Sequence, residues 1–373
     1  MRWGRELGAE VTSGRSRDSL LSAMHRKLIL SNKLSPGDVV MLTAAVRDLH
    51  LSYPGQFSTD LRTPFPALWE HNPNVVSLDE NDSEVVAIEC RYPLIDQANT
   101  TPHHCIHGFI QHLNKELDVQ IQPSKFCGDI HLSLEEKSWY SKIYELVGCD
   151  VPFWIVDAGG KYDVTIKWWD SARFQAVVDH FRDRILFVQV GAKGHHHPKL
   201  DGAVDLRGRT DLRQLIRLIY HSEGSLCGVT ALMHLTAAVP LKKQDRLFRS
   251  CVVVAGAREP AHWEAYPDHQ FIQNVGALKC ALYGGCWKDR TFPLDDGDER
   301  DAPDRLCLDV VGELPRCMDM ISAEEVIRRI EAYYEGGALT CLSASESQAG
   351  RRAIAETKDN RFLSGDAAKG LTN

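Results

Sequence analysis

Runs of consecutive apolar residues, too short for a buried helix and lacking polar alternation, constrain this chain most. PFWIVDAGG (152–160), RILFVQVG (184–191), SLCGVT (225–230) and CVVVAG (251–256) follow one another with helical patterns between them. A strand that is apolar at successive positions is covered on both faces, and helices cover both faces in a parallel sheet. The spacing therefore predicts an α/β unit from about residue 151 onward.

The first half repeats the theme. VVAIEC (85–90) reads as a buried strand, QFSTDL (56–61) as an extended segment, and HHCIHGFIQHLNKEL (103–117) as a helix rich in histidine at its start. SPGDVV opens a helix from about Val39 to Leu49 after a turn at Pro36-Gly37, with Asp38 as its N-cap. DIHLSLEEKSWYSKIYELVG reads as a strand and then one helix capped by Ser133 with Glu136 three residues on. SLLSAMHRKLIL (19–30) spaces its apolar residues as a lead-in helix.

A chain of 373 residues is long for one core, so two domains are expected: 1–150, and 151–341 with a loop-rich, cysteine-bearing stretch at 276–320. SAEEVIRRIEAYYEGG, with Ser322 as N-cap, supplies a closing helix, and 342–373 is expected to be a mobile tail.

With 43 Lys+Arg against 51 Asp+Glu the net charge is -8, which repels a polyanion and argues against nucleic acid as a partner. No run approaches the roughly 18 apolar residues of a membrane span, and no apolar stretch follows the first arginines as in a secretion signal. A cytoplasmic location is expected. The 11 cysteines are scattered, which suits reduced thiols and a metal site better than a disulfide framework.

The turn after the strand at 153–157 gathers Gly159, Gly160, Lys161, Lys167, Trp168 and Trp169. Parallel sheets bind ligands at the carboxyl ends of their strands, glycines admit a close ligand, and lysine charge suits a diphosphate. For Lys161 a solvated turn and for Trp169 a core position are the simpler readings; Lys167 and Trp168 are assigned to a ligand.

SPGDVVMLTAAVRDLH, KWWDSARFQAVVDHF and ALMHLTAAV, in that order, resemble signature elements of the heptosyltransferases of glycosyltransferase family 9. IHGF, GDIHLSLEEKSW, REPAHWEAYP and GGCWKDR extend the likeness to the autotransporter heptosyltransferases over roughly 31–335. The resemblance implies a GT-B architecture of two facing Rossmann-like domains, ADP-heptose as donor, inversion at the anomeric carbon and no catalytic metal. It implies Asp38 as general base and Lys167 as the phosphate-contacting lysine. Donor contacts fall on Thr230, the amides of Ala231, Leu232 and Met233, His234, Arg258 and Glu259; Val229 and Ala231 stand where the family commonly has Asp and Gly.

Adjacent side chains diverge, so His195-His196-His197 suits a loop lining the nucleotide cleft better than a metal site. Cys280, Cys286, Cys307 and Cys317 lie in loops of low apolar content, where four thiolates around an ion would organise the chain. The resemblance implies a structural iron there, and sulfur ligation equally suits zinc. The acceptor is a protein Ser/Thr or a small natural-product or sugar molecule, and a homo-oligomer is compatible with the resemblance. A non-catalytic nucleotide-sugar-binding scaffold is the alternative.

Overall fold

The computed structural model describes residues 25–243 and 246–358. Its first sheet has three parallel strands, β1 (Arg26–Ser31), β2 (Phe57–Arg62) and β3 (Val85–Glu89), in the order β2-β1-β3. Leu28 pairs with Thr59 on one side and Val86 on the other. The expected lead-in helix is corrected here: RKLIL is the central strand, with Leu28 and Leu30 fully buried, because a segment flanked on both edges has no polar face to offer. The rest of that predicted helix lies outside the described residues.

Helix α1 (Pro36–Ser52) is buried at Gly37 and from Val39 through Leu49, so it runs between layers and not along a surface. α2 (Cys105–Leu117) follows as predicted, N-capped by His104, whose Nδ1 accepts from Ile106 N at 3.3 Å. DIHLS forms no sheet strand, and the single predicted helix is two: α3 (Leu134–Ser138), capped by Ser133, and α4 (Lys142–Val147), capped by Ser141. Trp139 in extended conformation breaks them apart.

The second sheet contains β4 (Phe153–Asp157), β5 (Leu186–Gln189), β6 (Val204–Asp205), β7 (Gly224–Gly228), β8 (Ser250–Gly256) and β9 (His269–Gln273). All pairs are parallel, in the order β6-β5-β4-β7-β8-β9. This is the doubly wound dinucleotide order, which reverses direction between β4 and β7 and opens a crevice there. Its helices are α5 (Ser171–His180), α6 (Leu212–His221), α7 (Ala231–Ala238), the short α8 (Ala261–Glu264) and α9 (Arg316–Asp319), and α10 (Ala323–Glu335).

Among the contacts that join the halves are these two. α1 packs on α7, and Arg213 of α6 reaches across to both carboxylate oxygens of Glu136, 2.5 Å each, and to the His131 carbonyl at 2.6 Å. The expected tail is also corrected: 344–358 forms α11 (Ala344–Lys358), with Ala349 and Ala353 buried and Thr357 Oγ1 accepting from Asp205 N at 3.2 Å. Small side chains on one face let it lie close to the sheet edge, which composition disguises as a linker. Residues 359–373 lie outside the described part.

Candidate active site

The carboxyl ends of the two sheets face each other. In the first sheet the order reverses between β1 and β3, so the chain leaving β1 carries Asp38 and the chain leaving β3 carries Tyr92 to one place. Tyr92 OH donates to Asp38 Oδ1 at 3.2 Å, and Ser35 donates to Oδ2 through its amide (3.1 Å) and hydroxyl (2.7 Å). Asp38 is thus the third helical residue of a capping box, and Ser35 is the N-cap, contrary to the reading of Asp38 as N-cap. Burial and then the Asp38 charge hold the Tyr92 hydroxyl well above the usual tyrosine range.

Across the cleft the reversal between β4 and β7 brings Asp157 beside Thr230. Thr230 Oγ1 donates to Asp157 Oδ2 at 3.0 Å, and His197 Nδ1 lies 3.1 Å from Asp157 Oδ1. The threonine hydroxyl, so engaged, does not cap α7. The first-turn amides of a helix have no intrahelical partner, so those of Ala231 and Leu232 are placed to meet an anion; Met233 N already reaches the Thr230 carbonyl at 3.1 Å. Leu232, Met233 and His234 have buried side chains.

Gly159 and Gly160 serve a different neighbour from the one predicted. Gly160 and His196 exchange backbone hydrogen bonds of 2.9 and 3.0 Å, and a Cβ on Gly159, at φ +154°, would stand 1.8 Å from the His196 carbonyl oxygen. The close approach that needs glycine is made by the histidine loop itself, with the His196 ring stacked on Trp168 at 4.1 Å. The His195 and His197 rings lie 5.9 Å apart, while the His196 ring turns onto Trp168. Lys161 is exposed, and Trp169 is core, its indole N–H donating to the Ile321 carbonyl at 2.9 Å.

Lys167, Arg258 and Glu259 come together as one cluster. Lys167 Nζ lies 2.7 Å from Glu259 Oε1, and Arg258 bonds the same oxygen, Asp289 Oδ1 (2.9 Å) and the Lys288 carbonyl (2.6 Å). Burial alone would raise the Glu259 pKa; Arg258 and Lys167 outweigh it and keep the carboxylate ionised below its ordinary value. Glu259 Oε2 is buried with no partner.

His234 Nδ1 and Tyr266 OH are 2.7 Å apart, and His234 Nε2 is 4.0 Å from Glu264 Oε2. Burial drives the His234 pKa well below the ordinary histidine value, so the ring is neutral. Sequence reasoning missed Glu264, Tyr266, Tyr92 and Asp157. REPAHWEAYP carried the signal for the first two, a carboxylate and a phenol at i and i+2 after a strand end, but only the fold shows that they face α1.

The thiols of the four loop cysteines lie within electrostatic reach of one another, but among the described residues no three of them come within 4.8 Å. Burial pushes the thiols of Cys286 and Cys317 up to about 11, with the other cysteines of the set adding to the rise, and Cys307 is raised in the same way. Among the described residues, the group of metal-ligating side chains whose ligand atoms all lie within 4.8 Å is instead Glu70, His71 and Glu136, where Arg213 already occupies the Glu136 carboxylate. The loops have a second organiser that the sequence reading omitted: Arg290, 1% exposed, is held by Asp296 (2.8 Å) and Asp301 (2.5 Å).

No family model and no curated protein matches the sequence. Among solved structures, the chain is similar to a glycosyl transferase family 9 protein from Veillonella parvula (14% identity, TM-score 0.53, 83% of this chain and 97% of that one). It is similar to the iron-containing dodecameric glycosyltransferase TibC from enterotoxigenic E. coli (14%, TM-score 0.59, 84% and 78%). A third likeness is to E. coli ADP-heptose lps heptosyltransferase II (14%, TM-score 0.52, 84% and 100%). These likenesses are of fold: the chain shares the parallel, two-sheet architecture of family 9 glycosyltransferase structures.

Proposed function

We propose that the chain is an inverting glycosyltransferase that moves a heptose from ADP-heptose to an acceptor hydroxyl. The observation that carries the reading is the facing of two switch points across one cleft, Asp38 on one wall and Lys167, Arg258 and the first turn of α7 on the other. Fold likeness to heptosyltransferase structures, including TibC solved with ADP-D-beta-D-heptose at TM-score 0.57, supports that donor.

In this reading the acceptor oxygen attacks the anomeric carbon, the bond from that carbon to the ADP oxygen breaks, and the acceptor proton passes to Asp38. Lys167 and the amides of Ala231 and Leu232 meet the charge that develops on the departing diphosphate. Trp168, half-buried against His196, offers a flat surface at the nucleotide side. The acceptor is a protein Ser/Thr or a small molecule, and the reaction is placed in the cytoplasm. No helix among the described residues is long and apolar enough to cross a membrane.

Cys280, Cys286, Cys307 and Cys317 would hold a structural iron, or zinc, which supplies no chemistry to the transfer and ties the loops to the end of β8. The mutual effect of their thiols, the anchoring of Cys286 N on the Ala257 carbonyl at 3.0 Å, and the description of TibC as iron-containing support this assignment. Self-association is proposed on the same likeness, since TibC is described as dodecameric.

The test is ADP release from ADP-heptose with a panel of protein and small-molecule acceptors, read with the intact mass of each acceptor. A heptose mass gain with stoichiometric ADP supports the reading. Donor binding without release by any acceptor would favour the scaffold alternative.

A further inference from the structure

Glu264, at the end of α8, is 8% exposed, and its Oε2 is buried without a hydrogen-bond partner. Its carboxyl lies within electrostatic reach of Lys167, Glu259, Asp38 and Arg258. His234 Nε2 is 4.0 Å from Oε2, too far for a hydrogen bond. A buried carboxyl oxygen without a hydrogen-bond partner, within electrostatic reach of Lys167 and close to His234 of α7, lacks one partner that a ligand entering between the walls would supply.

The surroundings decide its protonation. Burial raises its pKa to about 7; Glu259 and Asp38 add to that rise, and Lys167 and Arg258 oppose it. Tyr92 and Tyr266 also feel its charge and are both held in the phenol form, His104 packs against Tyr266, and His234 is neutral. None of these neutral groups can offset a charge on Glu264. Ionised, it would be a third carboxylate beside Asp38 and Glu259, facing the place where an anion is drawn in.

We infer that the protonated carboxyl of Glu264 donates a hydrogen bond to an anionic oxygen of the bound ligand, the diphosphate of a nucleoside diphosphate sugar, and that its deprotonation repels that ligand. This rests on the donor site proposed above and adds a recognition group and a pH response to it. The sign follows directly. The neutral acid predominates below about pH 7 and binds; the carboxylate predominates above it and opposes binding.

ADP affinity is measured by calorimetry from pH 6 to pH 9 on the full chain and on Glu264→Gln and Glu264→Asp, with melting curves of each. The unmodified chain is expected to weaken on the order of 10-fold across the range, as a group titrating near neutrality must. Glu264→Gln, which cannot ionise but whose amide N–H still donates, should bind within about 3-fold of the unmodified chain at pH 6 and show less than about a 2-fold further loss. Glu264→Asp restores an ionisable group and should restore the slope. Ionisation of ADP is common to all three and cancels in the comparison. A slope that survives Glu264→Gln, or a flat profile in the unmodified chain, overturns this inference alone. Absence of ADP binding by the unmodified chain at every pH overturns it together with the donor reading.

Discussion

Gly37 abuts His234 across the cleft: a β-carbon on Gly37 would stand 2.7 Å from the His234 Cδ2 and 3.7 Å from the Ala231 Cα. The residue before the proposed base therefore touches the helix proposed to receive the diphosphate, and the absence of a side chain sets the separation of the two walls. Gly37→Val is expected to lower turnover at least 10-fold and to reduce the melting temperature, because His234 is buried and a ring in a packed site cannot yield freely. Steady-state kinetics and thermal melts check this; full activity would show that the cleft tolerates a wider gap.

Asp38→Asn keeps one acceptor oxygen, for Ser35 or for Tyr92 but not for both, and removes the basicity. Turnover is expected to fall by about 100-fold or more, with ADP affinity changed by less than about 3-fold. A loss confined to donor affinity would assign Asp38 to binding and not to proton transfer.

Lys167→Ala removes one of two cations on Glu259. Donor binding and transfer should both weaken, and stability should fall by about 1–3 kcal/mol because a buried carboxylate loses a partner. Adding Glu259→Gln should recover part of the stability but not the donor affinity. Additive stability losses in the double variant would mean that the two side chains do not act as a pair.

Two buried histidines, His104 and His234, and the half-buried His221 beside Asp150 and Val151 make stability respond to acid. Burial lowers the pKa of His104 and of His221 to about 4, and that of His234 well below its ordinary value. Each folded-state value is depressed, so the stability each neutral ring contributes is complete above the unfolded value near 6.5 and is lost as pH falls from there toward the folded value. The expected slope is about 1.4 kcal/mol per pH unit per histidine in that window. Denaturant melts at pH 7, 6 and 5 should show a smaller loss for His104→Asn than for the unmodified chain; identical losses would remove His104 from the account.

Protein purified without added metal is expected to carry about one iron, or one zinc, per chain, and Cys286→Ser should reduce that content and the melting temperature together. Arg290→Met should lower the melting temperature without changing metal content, since its partners are Asp296 and Asp301. Metal-free protein of undiminished stability would leave the ionic cluster as the organiser of the loops.

By itself the sequence determined the alternation of strands and helices in both halves, because FWIVD and CVVV, covered on both faces, must be apolar throughout; VVAIEC forms a strand as expected but not a buried one, since as β3 it lies at the sheet edge with only Ile88 buried. It also determined the helix starts at Ser133 and Ser322, where a hydroxyl and a residue three positions on suffice for the signal. It misplaced RKLIL, since a three-residue apolar run fits a helix face as well as a central strand, and only pairing with β2 and β3 decides between them. The tail became α11 for the same kind of reason: small residues that bury nothing alone acquire a role when a sheet edge is there to cover. Tertiary structure alone placed Tyr92 on Asp38, Thr230 on Asp157 and Glu264 near His234, because strand order decides which strand ends are neighbours and no local pattern encodes it. It also gave Gly159 and Gly160 to the His196 backbone, for a glycine records that something comes close and not what that something is.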